Sequence, residues 1–452
     1  MIGAGKSKLS IISCLNRIIT GKGERQEKMN KPLKILFLSN RGPLPIKDGQ
    51  TRRTFNILKG LSENNQVHLC SLFETPEEIE VQNIKKLKSF CHKVEFYPSP
   101  SKKVSIPMIA RLLRSLFSCE PYTIWRHYSK TFYARVDKLI QKESFDIVHC
   151  DILPIVYTIR NKENVFRSLT DHDVSYLKCL RMADDCYNIF LRIFCYLEAS
   201  KLKKLESRIF DEVELGIVVS EVDKKILKKV CRGARFEVIE NGVDVEKFKP
   251  GWETIEPNSL IWLGGFDHHP NKQGIYWFLD NVYPIVKQKT PEVILYVIGG
   301  GVTTKLRRYA SADPSINILG YVDDPIPHIK KATAFISPIL SGSGTRLKVL
   351  EAMAAGKAIV TTSIGCEGIE GTNNKHFLIA DKPEAFARKI LNIFENKNLT
   401  IEMSDNARKL ALQKYDWKII TVKLNNVYFD CVKINHLKNN NLTYKEQLNC
   451  LQ

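Results

Sequence analysis

The chain has 452 residues, 44% of them hydrophobic, and its 68 Lys and Arg outweigh 49 Asp and Glu to give a formal net charge of +19. That length suits two or three domains rather than a single core, and no apolar run approaches the ~18 residues of a membrane-spanning helix. The twelve cysteines form no C-x-x-C and no metal-ligand spacing, which argues against a zinc or disulfide framework and for a reducing, cytoplasmic compartment.

Residues 1–28 read as an N-terminal extension. Its mildly apolar piece Lys8 to Thr20, flanked by bases, is either a weak amphipathic anchor or sequence upstream of a start at Met29, and it lacks a signal-peptide cleavage site. Gly3 to Ser7 looks like a phosphate loop but follows no strand and lacks the first glycine of the spacing, so it is set aside. Lys34 to Ser39 is an apolar run that predicts a buried first strand. The loop after it carries the turn Asp48-Gly49 ahead of a helix over Thr51 to Ser62, and in doubly wound sheets a loop at this end of a strand binds ligands. Further strands are expected over Gln66–Leu72, Val94–Tyr97 and Phe145–Cys150.

Pro107 starts a helix with Ile109, Leu113, Leu116 and Phe117 on one side and Arg111 and Arg114 on the other. The plain reading is a half-buried helix. From Lys102 to Lys142, however, nine Lys and Arg face only Glu120 and Asp137, a local balance of +7, which makes this stretch a candidate for an anionic membrane surface. Leu169 to Ser175 then ends a strand in a polar corner containing Asp171, His172 and Asp173, ahead of a long helical region Tyr176–Phe210. Taken alone, Asp173 reads as an N-cap and His172 as a surface histidine. Leu215–Ser220 is expected to be the last strand of this half, Ser220 to Asp223 a capping box, and Asn241 to Pro250 a polar linker.

After Pro257 the strand-helix alternation restarts: Ser259–Leu263, the tight loop Gly264-Gly265, a helix over Gly274–Lys287, and strands Val293–Ile298, Ile316–Leu319, Ala334–Ser337 and Ala358–Ser363. Between the last two lies the most informative loop. Gly342 and Gly344 permit close backbone approach, Thr345 is expected to open a helix whose free N–H groups favour anions, Arg346 and Lys348 add positive charge, and Glu351 follows one turn on. The bland alternative is that Lys348 and Glu351 form an ordinary i,i+3 surface pair. A final amphipathic helix over 413–433 is expected to pack across both halves, with a loose tail at 434–452. The fold class is therefore α/β: two doubly wound, Rossmann-like domains, 29–250 and 257–412, facing each other across a cleft.

Taken together, Asp48-Gly49-Gln50, Phe145 to His149, Asn241 to Asp244, Gly264-Gly265 with Pro270-Asn271, and Gly342 to Gly356 give a chain that resembles glycosyltransferase family 4 of the GT-B architecture, from about Lys34 to Val432. It is especially similar to bacterial members of polysaccharide and exopolysaccharide assembly. The resemblance implies a retaining, metal-independent transferase with no cofactor beyond a nucleotide-diphosphate sugar as co-substrate, and a glycan or lipid-linked acceptor. The cysteine pattern and the basic stretch Lys102 to Lys142 give the expectation of a cytoplasmic protein, peripheral on the inner face of the membrane. His172, Arg346 and Lys348 would be catalytic. The donor would be bound by Gly264, Gly265, Gly342, Ser343, Gly344, Thr345, Arg346, Lys348 and Glu351, with Glu351 on the ribose. Asp48, Gly49, Gln50 and Asp171 would form the N-terminal side of the cleft.

Two departures from the family pattern stand out. Relatives carry a glutamate eight residues before the position of Glu351, where this chain has Ser343. Many also place a basic pair after the Gly264 strand, where this chain has Gly265 and Asn271 or Lys272. The other readings are a non-catalytic nucleotide-sugar-binding subunit and an epimerase or hydrolase of the same architecture. Nucleic-acid binding is disfavoured, because the basic stretches lack interleaved aromatics for stacking.

Overall fold

The computed structural model describes residues 31–100, 106–162, 165–186, 188–251, 255–342 and 344–439. The extension 1–28, Lys102 and Lys103, Ser343 and the end of the tail lie outside the described residues.

The first sheet joins β1 (Lys34–Ser39), β2 (Gln66–Phe73), β3 (Lys93–Pro98), β4 (Ile147–Cys150), β5 (Phe166–Asp171), β6 (Leu215–Val218) and β7 (Phe236–Val238) in the order β3-β2-β1-β4-β5-β6-β7. The second joins β8 (Glu256–Leu263), β9 (Ile294–Ile298), β10 (Ile316–Gly320), β11 (Ala332–Ser337), β12 (Ala358–Thr361) and β13 (Leu378–Ile379) in the order β10-β9-β8-β11-β12-β13. All pairings are parallel. Parallel strands covered on both faces read as unbroken apolar runs, and Ile35, Leu36, Phe37 and Leu38 are all fully buried. The strand order reverses between β1 and β4 and between β8 and β11. At such points the loops leaving the strands diverge and open a crevice, so the loops after Ser39, Cys150, Leu263 and Ser337 are the ones placed to bind.

Each sheet has a hydrophobic layer on either face. The last helix, Trp417–Asn439, returns to the N-terminal domain: Trp417, Ile420, Leu424 and Tyr428 are buried in the layer that contains Ile35 and Leu58. Gly60 and Gly242 have no room for a side chain because Thr421 and the Trp417 ring lie against them.

Five expectations about local structure change. Leu215–Val218 is not the last strand of its half, since Phe236–Val238 pairs beside it at the sheet edge. The helical region 176–210 is two antiparallel helices, Ser175–Asp184 and Ile189–Glu212, because Asn188 accepts a hydrogen bond from Leu191 N at 3.1 Å and starts a new helix. Asp173 is not the N-cap of the first. Glu206 from the second helix accepts from Ser175 N (2.7 Å) and Tyr176 N (3.3 Å) in its place, while Asp173 pairs with Lys178 at 2.8 Å. The helix expected over Gly274–Lys287 begins earlier, at His269, and passes through a π-turn at Phe278–Val282, where Pro284 removes the N–H a regular helix would need. Finally, the helix after the glycine loop begins at Leu347, with Arg346 rather than a Thr345-headed turn at its N-cap.

Candidate functional site

The two switch points face each other across a cavity of about 360 Å³ lined by Asp48, Gly49, Arg52, Leu263, Gly264, His268, Asn271, Thr345, Arg346, Leu347, Lys348 and Glu351. From the N-terminal domain comes the start of helix Gly49–Ser62. Asp48 caps it, accepting from Thr51 N at 3.0 Å, and also binds Arg41 Nη2 at 2.7 Å. Burial acts to raise its carboxyl, but the Arg41 charge and these hydrogen bonds prevail and hold it below the ordinary value. Gly49 is an approach point, since a Cβ there would stand 3.2 Å from Leu347 Cδ1 of the other domain.

From the C-terminal domain comes the loop between β11 and helix Leu347–Ala354. Gly342 (φ +95°) and Gly344 (φ +81°) are left-handed, a region that disfavours side chains. Gly344 lies against the polar corner, where a Cβ would strike Asp173 Oδ1 and approach the His172 carbonyl at 3.3 Å. Arg346 makes no side-chain cap on helix Leu347–Ala354, and while Val349 N donates to Arg346 O at 2.9 Å, the N–H groups of Leu347 and Lys348 end the helix without an intrahelical acceptor, where an anion is favoured. Thr345 Oγ1 is buried beside them with no hydrogen-bond partner among the described residues.

Lys348 Nζ donates to Leu263 O at 2.9 Å and Asn271 Oδ1 at 2.8 Å and sits 5.2 Å from the Trp262 ring centre. Burial of the ammonium, with the nearby Arg346 charge, pushes it down to about 7. Arg346 Nη2 reaches Ser341 O at 3.3 Å. His268, missed from sequence, is pushed down to about 4 by burial and by the charges of Lys178, Arg346 and Lys348, so it is a neutral imidazole near pH 7. Arg52, also missed, pairs across the cleft with Glu351. Of the two residues considered for the missing basic pair, Asn271 lines this cavity and Lys272 lines a different one.

Six of the described sequence candidates are not among the cavity-lining residues: Gln50, Asp171, His172, Gly265, Gly342 and Gly344. Gln50 turns to Asn40, donating to its Oδ1 at 2.7 Å. His172 donates Nε2–H to the Asp151 carbonyl at 2.7 Å. Beneath it, burial acts to raise the Asp151 carboxyl, but His172 and His149 hold it well below the carboxylate range. Asp171 is fully enclosed rather than at the cleft. Burial and the adjacent Glu206 push its carboxyl well up, so it holds the proton and Glu206 acts as the helix-capping carboxylate. At Gly265 a side chain would meet nothing within 4 Å, so this position opens onto free space.

Residues 47–247 match Glycosyltransferase Family 4, and residues 257–396 match Glycosyl transferases group 1. The chain belongs to the family 4 type of glycosyltransferases. This glycosyltransferase is 24% identical over 401 residues to a 44.6 kDa protein in the cps region of Klebsiella pneumoniae, covering 85% of this chain and 97% of that one. It is 24% identical over 324 residues to the UDP-Gal:alpha-D-GlcNAc-diphosphoundecaprenol alpha-1,3-galactosyltransferase of Escherichia coli, covering 65% of this chain and 78% of that one. Sucrose-phosphate synthase from Thermosynechococcus elongatus superposes with a TM-score of 0.66 at 15% identity, over 88% of this chain and 98% of that one. The shared fold is GT-B, and the chemistry of the glycosyltransferase is transfer from a nucleotide sugar.

Proposed function

We propose that the cavity binds a nucleotide-diphosphate sugar and that the sugar passes, with retention of anomeric configuration and without a metal ion, to a glycan or lipid-linked acceptor in cell-surface polysaccharide assembly. The observation that carries this reading is the convergence of Arg346, Lys348 and an uncapped helix start on one cavity, with Glu351 one turn further along. Arg346 and Lys348 would neutralise the diphosphate as the glycosidic bond breaks, where charge builds up most. Glu351 would exchange Arg52 for ribose hydroxyls. His172, fixed by the Asp151 carbonyl beside Gly344, would orient the donor sugar.

The carboxylates on the cavity wall already have partners: Asp48 has Thr51 and Arg41, and Glu351 has Arg52. This favours a front-face substitution over a double displacement on a carboxylate pair. The acceptor hydroxyl attacks from the side the diphosphate leaves, and its proton passes to the departing phosphate oxygen. The acceptor class is supported by the cps-region and diphosphoundecaprenol-linked names of the relatives.

The test is nucleoside diphosphate release from UDP- and GDP-sugars, with and without lipid-linked acceptors, in the presence of EDTA, and with the product anomer read by NMR. Acceptor-dependent, EDTA-resistant release with a retained anomer is expected. Release without acceptor would point to a hydrolase or epimerase, and an inverted product or loss of activity in EDTA would contradict the mechanism.

A further inference from the structure

Half of the large apolar side chains exposed among the described residues lie in two short stretches, 109–117 and 182–197. The stretches are neighbours. Lys201, on the same helix as residues 189–197, bonds the carbonyl of Ser115 in the first, Glu198 accepts from Tyr122 N at 2.7 Å, and the Tyr122 and Phe194 rings lie 6.4 Å apart. Phe117 is 91% exposed and Phe190 81%. Ile189, Phe190, Leu191 and Ile193 are all exposed, and at 100° per residue they spread over about 200° of the helix circumference, about twice the width of an ordinary apolar stripe. A tip this broadly apolar suits immersion in a lipid phase.

The charge around the ridge is complementary to an anionic surface. Arg111, Arg114 and Arg126 lie in or beside the first stretch, and Arg192, Lys203 and Lys204 in or beside the second. Glu198 is buried and Glu120 is paired with Arg208. Asp184 and Asp185 are the acids at the turn, Asp184 being bonded to Tyr196 at 2.7 Å. By contrast, Arg135 of the basic stretch singled out in the sequence is engaged inside the domain with Glu95, and Asp137 of that stretch is paired with Lys162. No helix among the described residues is long and apolar enough to cross a membrane.

We propose that this ridge, led by Phe117 and Phe190, seats the enzyme on an anionic lipid bilayer by shallow insertion, with the flanking arginines and lysines on the headgroups. The surface lies outside the donor cavity, so the inference stands whatever sugar or acceptor the enzyme uses. The test is flotation of the full chain with phosphatidylglycerol–phosphatidylcholine vesicles and with pure phosphatidylcholine vesicles, at low and high salt. The wild type should float with the anionic vesicles and lose binding as salt rises. Combined Phe117→Ser, Phe190→Ser and Ile193→Ser changes should weaken binding at least about tenfold, while the unfolding temperature and UDP binding stay at wild-type values. Arg111→Glu with Arg192→Glu should weaken binding to the anionic vesicles alone. Wild type that does not float, or a triple variant that floats as well as wild type, would overturn the proposal. So would self-association that the triple variant abolishes without any change in flotation, since the ridge would then join two copies of the chain.

Discussion

Lys348 sets the charge of the donor cavity. Its ordinary value of 10.5 is pushed down to about 7 by burial and by Arg346, so above neutral pH the unliganded protein increasingly holds it uncharged. Between about pH 7 and 10.5 the unfolded chain binds the extra proton, and this group therefore makes folding more favourable as pH rises through that window. A diphosphate reverses the shift by supplying opposite charge. UDP binding at about pH 8 should therefore take up a proton, and affinity should fall as pH rises further. Calorimetry in two buffers of unlike ionisation enthalpy reads this directly, and equal observed heats would contradict it. Arg346→Ala and Lys348→Ala should each lower turnover at least about tenfold, since each removes a charge-assisted contact to the leaving group. Near-normal rates in both folded variants would remove these residues from the mechanism. Glu351→Ala should weaken nucleotide binding by about tenfold, because it deletes the ribose acceptor and leaves Arg52 without its partner.

Between elements, the decisive contact is Arg181 on helix Ser175–Asp184. It binds Glu367 through two hydrogen bonds of 2.8 and 2.9 Å and also reaches the Gly342 carbonyl. One guanidinium from the N-terminal domain thus holds the entry to the glycine loop and the segment after β12. Arg181→Ala should raise the donor KM and lower kcat together. Arg181→Lys should restore less than half of the loss, because an ammonium cannot reproduce the planar fork; full rescue by lysine would reduce the contact to simple charge. This contact also marks what the sequence could not show. Gly342, Gly344, Arg346, Lys348 and Glu351 are legible because they fall within ten residues and their chemistry is local. Arg181 and Glu367 are 186 residues apart, and Arg52 and His268 become site residues only once the domains face each other. The strands were legible for a similar reason, as buried runs such as Lys34–Ser39. The break at Asn188 and the capping by Glu206 depend on tertiary partners that override the helical pattern of 176–210.

At the scale of the molecule, the last helix ties the C-terminal chain back onto the N-terminal domain. Trp417 lies on Gly242, Thr421 on Gly60, and Tyr428 pairs with His149 Nδ1 at 2.7 Å. Burial of Trp417, Ile420, Leu424 and Tyr428 contributes about 1.5–3 kcal/mol each, in a protein whose net stability is of the order of ten. A chain ending at residue 415 should therefore unfold at a markedly lower temperature or fail to fold, and an unchanged unfolding temperature would contradict this role. The proposed function requires the cavity between the domains to be a nucleotide diphosphate site. Calorimetric titration of the wild type and the Arg346→Ala/Lys348→Ala double variant with UDP, GDP and ADP tests this most directly. The wild type should bind at least one of the three, and the folded double variant should bind it at least about a hundredfold more weakly. Equal affinity in the two proteins, or binding of none of the three by the wild type, would contradict it.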